Sequence, residues 1–69
     1  MQSQSVAGIF SSMGSKLDES TVFSRLMQMQ QSGALMDKEQ RAALMTEAGL
    51  TNEQMAKLDP VLDALSRVG

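Results

Sequence analysis

The chain of 69 residues contains no cysteine and no histidine, and its six basic and eight acidic side chains give a formal net charge of −2. It therefore lacks disulfides, thiolate metal ligands, a thiol nucleophile and an imidazole base, so we expect neither enzymatic activity nor a cofactor, metal ion or small-molecule substrate. The basic residues are not clustered, which disfavours nucleic acid as a partner because phosphate binding rests on grouped lysine and arginine.

Residues 5–17 form the first predicted element, an amphipathic helix that follows a frayed end at residues 1–4. Apolar side chains recur at spacings of three and four residues and so share one helical stripe: Val6, Ile9, Phe10, Met13 and Leu17. The opposite face is serine, glycine and alanine, and an interior glycine costs about 1 kcal/mol relative to alanine. We expect this helix to form when it docks on its own domain, on a second copy or on another molecule.

A second helix is predicted from Asp18 or Ser20 to about Ser32, since aspartate and serine are good N-cap residues. Gly33 suits the left-handed position that ends many helices. One face of this helix is apolar and is predicted to belong to the core: Val22, Leu26 and Met29. Phe23 lies at the edge of that face.

The second helix is rich in methionine, and the chain has seven methionines against two phenylalanines. Met27 and Met29 have a spacing that invites comparison with Cu(I) sites, but residues two apart on a helix point in nearly opposite directions and do not meet at one ion. We predict that Met29 is in the core and that Met27 is at least partly exposed. A methionine-filled core and an adaptable binding surface remain alternative uses of this residue type.

A third helix is predicted to open at Asp37, with Gln40 completing an aspartate-led analogue of the capping box. Its apolar side carries Leu44, Met45 and Ala48.

A tight helix-turn-helix corner is predicted at residues 48–52. Gly49 suits a left-handed C-terminal position, and Leu50 can fold back over Met45 as in a Schellman motif. Thr51 followed by Gln54 is the pattern of a capping box that opens the next helix.

The final helix is predicted to break at Asp59–Pro60, as a kink or as a restart, because proline lacks the backbone donor and disfavours helical geometry in the preceding residue. Its apolar face is broad: Met55, Leu58, Val61, Leu62, Leu65 and Val68. Asp59 and Asp63 share one side, which we interpret as a cap and a solvated surface.

The stretch "ALMTEAGLTNEQMAKL" resembles the helix-turn-helix pattern of bacterial DNA-binding regulators. The matching positions are Leu44, Ala48, Gly49, Leu50, Met55 and Leu58. The resemblance implies that exposed side chains of the second helix contact DNA. In a major groove, however, Glu53 and Asp59 face phosphates at a cost in free energy.

The sequence as a whole predicts an all-α protein, a compact bundle of three to five short helices in a single domain over residues 1–69. We expect a non-enzymatic protein-protein interaction module, such as a small regulator, inhibitor, adaptor or assembly protein, that binds an apolar surface through a methionine-rich helical face. The candidate partner-binding residues are Ile9, Phe10, Met13, Phe23, Met27 and Gln30.

Three further expectations concern partners and location. Self-association as a homodimer is one alternative, because a core of this size supplies about 3 to 5 kcal/mol of net stability. Two further alternatives are a helix-turn-helix DNA-binding regulator and an amphipathic membrane-surface protein. For membrane binding, however, the first helix has only Lys16 to contact anionic lipid. With no apolar run of about 18 residues and no basic segment before the first apolar stretch, we expect a cytoplasmic protein.

Overall fold

The computed structural model describes residues 3–68, which form four α-helices and one short 3₁₀ helix. The elements in chain order are α1 (Ser3–Ser12), α2 (Glu19–Ser32), the 3₁₀ helix (Ala34–Met36), α3 (Lys38–Glu47) and α4 (Asn52–Val68). No strand occurs between residues 3 and 68. The predicted all-α bundle of three to five short helices is confirmed, and the 3₁₀ helix is an addition that the sequence did not predict.

Helix α1 begins earlier and ends earlier than the predicted segment 5–17. Ser3 and Gln4 are helical, so the fraying predicted for residues 1–4 is wrong for these two, while Met1 and Gln2 lie outside the described residues. The helix ends at Ser12 because Gly14 adopts a left-handed conformation with φ 82°. Glycine enters that region at little cost and so turns the chain.

The apolar stripe of α1 packs on the protein's own core. Val6, Ala7 and Phe10 have no solvent exposure. They join Val22 and Leu26 of α2 in one buried cluster with the apolar residues of the other helices. Of the docking sites considered for the first helix, its own domain is the observed one.

Local signals at the ends of α2 and α3 are largely confirmed. Gly33 ends α2 in the left-handed conformation, with φ 81°, and Asp18 occupies the N-cap position without a side-chain capping bond. At α3, Oδ1 of Asp37 accepts a hydrogen bond from the backbone N–H of Glu39 at 2.9 Å. This bond satisfies the backbone N–H of Glu39 in the first turn of α3. A capping box with Gln40 predicts a bond to the backbone N–H of Gln40, one residue later.

The helix-turn-helix corner forms as predicted. The backbone N–H of Leu50 donates to the carbonyl of Met45 at 3.2 Å, and Gly49 has φ 77°, which together make a Schellman motif. Thr51 Oγ1 accepts from the Gln54 backbone N–H at 3.1 Å, and Gln54 Oε1 accepts from the Thr51 backbone N–H at 3.0 Å. The reciprocal capping box is therefore confirmed.

The α1–α2 loop holds this corner in place. The backbone N–H of Lys16 donates to the carbonyl of Ala48 at 2.8 Å, and Nε2 of Gln54 donates to the carbonyl of Met13 at 3.1 Å. The aliphatic part of the Lys16 side chain also covers Gly49, where an added Cβ would lie 2.8 Å from the Lys16 Cε. Glycine is thus favoured at this position by its backbone conformation, and a Cβ would also displace the Lys16 side chain.

Helix α4 continues through Pro60, so the predicted helix restart is wrong. Leu58, Leu62 and Leu65 are almost fully buried on one face of the helix, and this burial on both sides of the proline favours one continuous helix. Pro60 and Ala56 are exposed. Because proline has no N–H, the Ala56 carbonyl lacks the hydrogen-bond donor that a helix normally supplies. It therefore lies on the exposed side of α4, where water can donate to it instead.

Candidate protein-binding face

The first half of the chain is poor in charge. Ten of the fourteen charged residues lie at or after position 37. Helix α1 contains none, and α2 contains Glu19 and Arg25. The Arg25 guanidinium is paired with Glu47 of α3, with 2.6 Å between Nη1 and Oε2. Apart from the exposed Glu19 and the paired Arg25, the outer surface of α1 and α2 is consequently made of hydroxyl, amide and apolar side chains.

Two large apolar side chains are exposed in the middle of this charge-poor surface. Phe23 and Met27 are one helical turn apart on α2 and are 37 % and 38 % exposed. Met29 is buried with 8 % exposure, which confirms the predicted division between a core methionine and an exposed one. The polar residues around the exposed pair are also exposed: Ser20, Ser24, Gln28 and Gln31.

A groove of about 460 Å³ lies beside Phe23, between α1 and the first turns of α2. Its lining residues are Gln4, Ala7, Glu19, Ser20 and Phe23. Its volume is sufficient for one or two large side chains of a partner. We call Ser20, Phe23, Ser24 and Met27, together with this groove, the α1–α2 face.

The structure separates the six predicted partner-binding residues into three groups. Phe23 and Met27 lie on the α1–α2 face. Ile9 and Met13 are half-buried and pack against the core. Phe10 is fully buried; its placement at a surface is wrong, because α1 buries its apolar stripe within the protein.

Gln30 also has an internal role. Its Nε2 donates to the carbonyl of Leu65 at 3.2 Å, and the side chain is half-buried. The hydrogen bond joins α2 to the last turns of α4, so the amide holds two helices together. Periodicity did not identify this partner, because the two residues are 35 positions apart in sequence.

Arg41 is the main residue that the sequence analysis missed. Its side chain is 8 % exposed, and its Nε donates to Asp59 Oδ1 at 2.8 Å. Its Nη1 donates to the Leu35 carbonyl at 2.8 Å and lies 3.6 Å from Asp63 Oδ1. The hydrogen bond with Asp59 raises the pKa of Arg41, aided by the nearby carboxylates and opposed by burial.

This ion-paired cluster corrects the interpretation of the two aspartates of α4. Asp59 and Asp63 do share one side of the helix, but that side faces the guanidinium of Arg41 rather than bulk water. Asp59 is not an N-cap, since α4 does not restart there. The i,i+4 spacing of the two acids was visible in the sequence, whereas the arginine that pairs with them lies on another helix.

A second groove, of about 410 Å³, lies between α3 and α4. Its lining residues are Lys38, Ala42, Met45, Asn52, Met55, Ala56, Asp59 and Pro60. It carries one charge of each sign, and its acid is already paired with Arg41. Met55, one of its apolar residues, accepts a hydrogen bond at Sδ from the Thr46 hydroxyl at 3.7 Å.

The arginines offer little to a phosphate backbone, because each one has a carboxylate partner. The pairs are Arg25 with Glu47, Arg41 with Asp59 and Asp63, and Arg67 with Asp63. On the helix that follows the corner, Lys57 lies 3.9 Å from Glu53. The described arginines are therefore already paired with acids, whereas DNA affinity rests on grouped cations.

The two grooves differ in the character of their surroundings. The groove on the α1–α2 face has one acidic lining residue, Glu19, and adjoins an exposed aromatic side chain and an exposed methionine, whereas the α3–α4 groove is lined by both Lys38 and Asp59. No helix within residues 3–68 combines the length and the apolarity needed to cross a bilayer. Comparisons with protein-family models, curated proteins and solved structures gave no match to this chain.

Proposed function

We propose that this protein is a non-enzymatic interaction module that binds another protein through the α1–α2 face. The observation that carries the proposal is the exposed pair Phe23 and Met27, which lies among exposed serine and glutamine side chains beside a groove that Glu19 borders. Suitable roles for such a module are those of a small regulator, an inhibitor, an adaptor or an assembly protein.

The composition of the face supports binding because the cores of protein interfaces are depleted in charge and enriched in aromatic residues and methionine. Removing apolar surface from water stabilises a complex by about 25 cal/mol per Å². Phe23 supplies a rigid aromatic ring with few rotatable bonds, and Met27 supplies a flexible thioether that adapts to the shape of a partner.

The mode of binding that this surface favours is the packing of an apolar helix against α2 and the groove. Helix-in-groove recognition uses anchors spaced by three, four and seven residues. Ser20, Phe23, Ser24, Met27 and Gln31 have this spacing along α2. Phe23 and Met27 serve as the apolar anchors, and the hydroxyl and amide side chains around them fix the register through hydrogen bonds.

The proposal is tested by site-specific photo-crosslinking in the source cell. A photoreactive amino acid replaces Met27 on the α1–α2 face or, as a matched control, Glu53 on α4, which is also exposed. We expect one defined protein to be attached from position 27 and not from position 53. Equal attachment from both positions, or none from position 27, contradicts the proposal.

A binding titration then checks the recovered protein. It is titrated against the purified wild type, Met27→Glu and the control Ala56→Glu, which places the same charge on exposed α4. We expect Met27→Glu to weaken binding at least about tenfold, because a buried, unpaired carboxylate opposes association. Ala56→Glu is expected to bind as the wild type does. An unchanged affinity for Met27→Glu removes the α1–α2 face as the binding surface.

A further inference from the structure

We propose that helix α1 is a hinged cover that opens while the rest of the protein stays folded, and that a partner helix then takes its place on α2. This inference deepens the proposed function and rests on it for the partner, because the surface that α1 covers adjoins the α1–α2 face. It is carried by the weak helix-forming sequence of α1, by the apolar character of its contacts and by the place where it is attached to the corner at residues 48–52.

The sequence of α1 gives little support to a helix. Four of its ten residues are serine and one is glycine, and Gly8 lowers the equilibrium constant for helix formation about fivefold relative to alanine. The first turn has no acidic residue and the last turn has no basic residue, so no side-chain charge compensates the helix dipole. A helix of this length and composition is unstable alone in water, so α1 depends on its docking.

The contacts that dock α1 are apolar. Val6, Ala7 and Phe10 are fully buried, and α1 lies mainly against α2. Between residues 4–12 and residues 17–68, the structure contains no hydrogen bond and no ion pair. Apolar packing is not directional, so another apolar helix of similar shape can replace α1 without leaving a buried polar group unpaired.

The packing of α1 is incomplete along its border with the first turns of α2. The groove of about 460 Å³ lies on this border, and Ala7 of α1 and Phe23 of α2 are among its lining residues. Apolar side chains lose their mutual attraction where a gap separates them. This border is therefore the side on which α1 separates from α2 first.

The attachment of the following loop limits the opening to α1. The carbonyl of Met13 accepts a hydrogen bond from Nε2 of Gln54 at 3.1 Å, and the backbone N–H of Lys16 donates to the carbonyl of Ala48 at 2.8 Å. Both bonds hold the loop against the corner and the capping box that follows it. The exposed residues 11 and 12, at the end of α1, are therefore the hinge at which the backbone changes direction.

Most of the core remains when α1 is open. Of the fourteen buried apolar residues in the described chain, α1 contributes three, and the other eleven lie between Val22 and Leu65. Proteins open locally at the segments that bury the least apolar surface. The open state exposes the side of α2 that carries Val22 and Leu26, which we call the α1 seat. Phe23 and Met27 follow these two residues directly in sequence, so the α1 seat and the α1–α2 face are continuous.

The chemistry of α1 specifies the helix that the α1 seat accepts. Its fully buried residues are a valine, an alanine and a phenylalanine at positions i, i+1 and i+4, and its sequence contains no charged residue. The expected partner segment is an uncharged amphipathic helix with apolar side chains at the same spacing. Because this segment competes with α1, its apparent affinity is reduced by the fraction of molecules in which α1 is closed.

Thiol labelling of the purified full-length chain tests the opening. The sequence has no cysteine, so one introduced thiol gives the whole signal. Ala7→Cys reports on α1, and Ala48→Cys in the corner is the matched control, since both alanines are fully buried. We expect a thiol-specific reagent to modify position 7 at least about tenfold faster than position 48. Equal rates mean that α1 opens only when the whole protein unfolds, and they overturn the proposal.

Native-state hydrogen exchange gives the same comparison without a substitution, and it decides the matter if either cysteine variant does not fold. We expect the backbone amide of Phe10 to exchange at least about tenfold faster than that of Leu65. About 1 M urea is expected to accelerate exchange at Leu65 about fivefold and at Phe10 less than about twofold, because opening of α1 exposes less surface than unfolding does. Equal acceleration at the two amides contradicts a separate opening.

Gly8→Ala tests whether the docking of α1 limits partner binding. An added Cβ at Gly8 meets no atom within 4 Å, so alanine strengthens α1 without a clash. We expect labelling at position 7 to slow about fivefold. The protein recovered by photo-crosslinking from position 27 is expected to bind Gly8→Ala about fivefold more weakly than the wild type. Ala56→Gly, the reverse substitution on the exposed side of α4, is the control and is expected to change neither quantity.

The outcomes distinguish this inference from the proposed function. Equal labelling at positions 7 and 48 overturns the opening of α1 and leaves the proposed function standing, because binding to the closed α1–α2 face requires no opening. An unchanged affinity for Gly8→Ala likewise overturns the displacement of α1 alone. If no protein is attached from position 27, the proposed function falls, and the partner of the α1 seat falls with it.

Discussion

The Nε of Arg41 donates to Oδ1 of Asp59 across 2.8 Å, and this ion pair joins α3 to α4. The same guanidinium donates to the Leu35 carbonyl in the 3₁₀ helix at 2.8 Å. One largely buried side chain therefore fixes the positions of three segments. Loss of the Arg41 side chain leaves the buried Leu35 carbonyl without this donor and the Asp59 carboxylate without its nearest cation. Both changes lower the free energy of unfolding.

Replacing Arg41 with methionine is expected to lower the free energy of unfolding by about 2 to 4 kcal/mol, because charge-assisted hydrogen bonds are lost and their acceptors stay in place. Arg25→Met is the matched control. Arg25 and Glu47 form an exposed pair, and such pairs contribute about 0 to 1 kcal/mol. Urea unfolding monitored by circular dichroism measures both variants, and an equal loss contradicts a special role for Arg41.

The stability of the protein is expected to vary little between about pH 6 and pH 9, since no histidine titrates in this range. The raised pKa of Arg41 does not change this expectation. A cation whose pKa is raised by folding contributes its full stabilisation below its unfolded pKa and loses it only as the pH rises through the folded value. Thermal melts across this range measure the effect, and a midpoint shift of more than about 5 °C contradicts the prediction.

The core leucines of α4 and the exposed methionine of α2 are expected to respond differently to truncation. Leu62 has no exposure, so Leu62→Ala is expected to cost about 2 to 5 kcal/mol, as is Leu65→Ala. Met27→Ala is expected to cost less than about 1 kcal/mol because its side chain is partly exposed. Chemical unfolding monitored by circular dichroism gives the comparison. Similar losses at all three positions mean that Met27 belongs to the core.

Gly49→Ala is expected to destabilise the protein more than Gly33→Ala. Both glycines have φ near 80°, so alanine costs about 1 to 2 kcal/mol at each position. At Gly49 the added Cβ also lies 2.8 Å from Lys16 Cε, whereas open space surrounds Gly33. A double-mutant cycle with Lys16→Ala isolates this additional cost. Zero coupling between Gly49→Ala and Lys16→Ala contradicts the prediction.

Pro60→Ala is expected to stabilise the protein by about 1 to 2 kcal/mol. The substitution restores a helical hydrogen bond to the Ala56 carbonyl and removes the clash of the proline ring with that carbonyl. The greater conformational entropy of the unfolded chain offsets part of this gain. The helical circular dichroism signal is expected to increase slightly. Urea unfolding measures the change in stability. Destabilisation by this substitution indicates that Pro60 acts as the first residue of a separate helix, which contradicts a continuous α4.

Signals that depend on neighbouring residues could be predicted well. The corner at residues 48–52 follows from a left-handed glycine, a Schellman contact and a capping box, each of which involves residues at most five positions apart. The ends of α2 and the burial of Met29 follow from capping and periodicity in the same way. The exposure of Met27 was predicted because it lies off the core face of its own helix, and Phe23 was placed at the edge of that face.

Signals that depend on distant residues were misread or missed. Phe10 was placed at a surface because an amphipathic stripe does not reveal which surface covers it. Pro60 was taken as a break because proline destabilises an isolated helix, whereas packing of the leucines on both sides of it favours continuity. The hydrogen bond between Gln30 and Leu65 crosses between helices, and spacing within one helix cannot predict it.

By itself the sequence determined the all-α class, the ends of α2, the corner at residues 48–52 and the low charge of the first half of the chain, since capping, periodicity and charge are local properties. The tertiary structure decided which apolar residues are covered: it buried Phe10 in the core and left Phe23 and Met27 at the surface. It also brought Arg41 to Asp59, 18 positions away. The packing of four helices fixes such pairs because burial and ion pairing depend on which helix faces lie against each other.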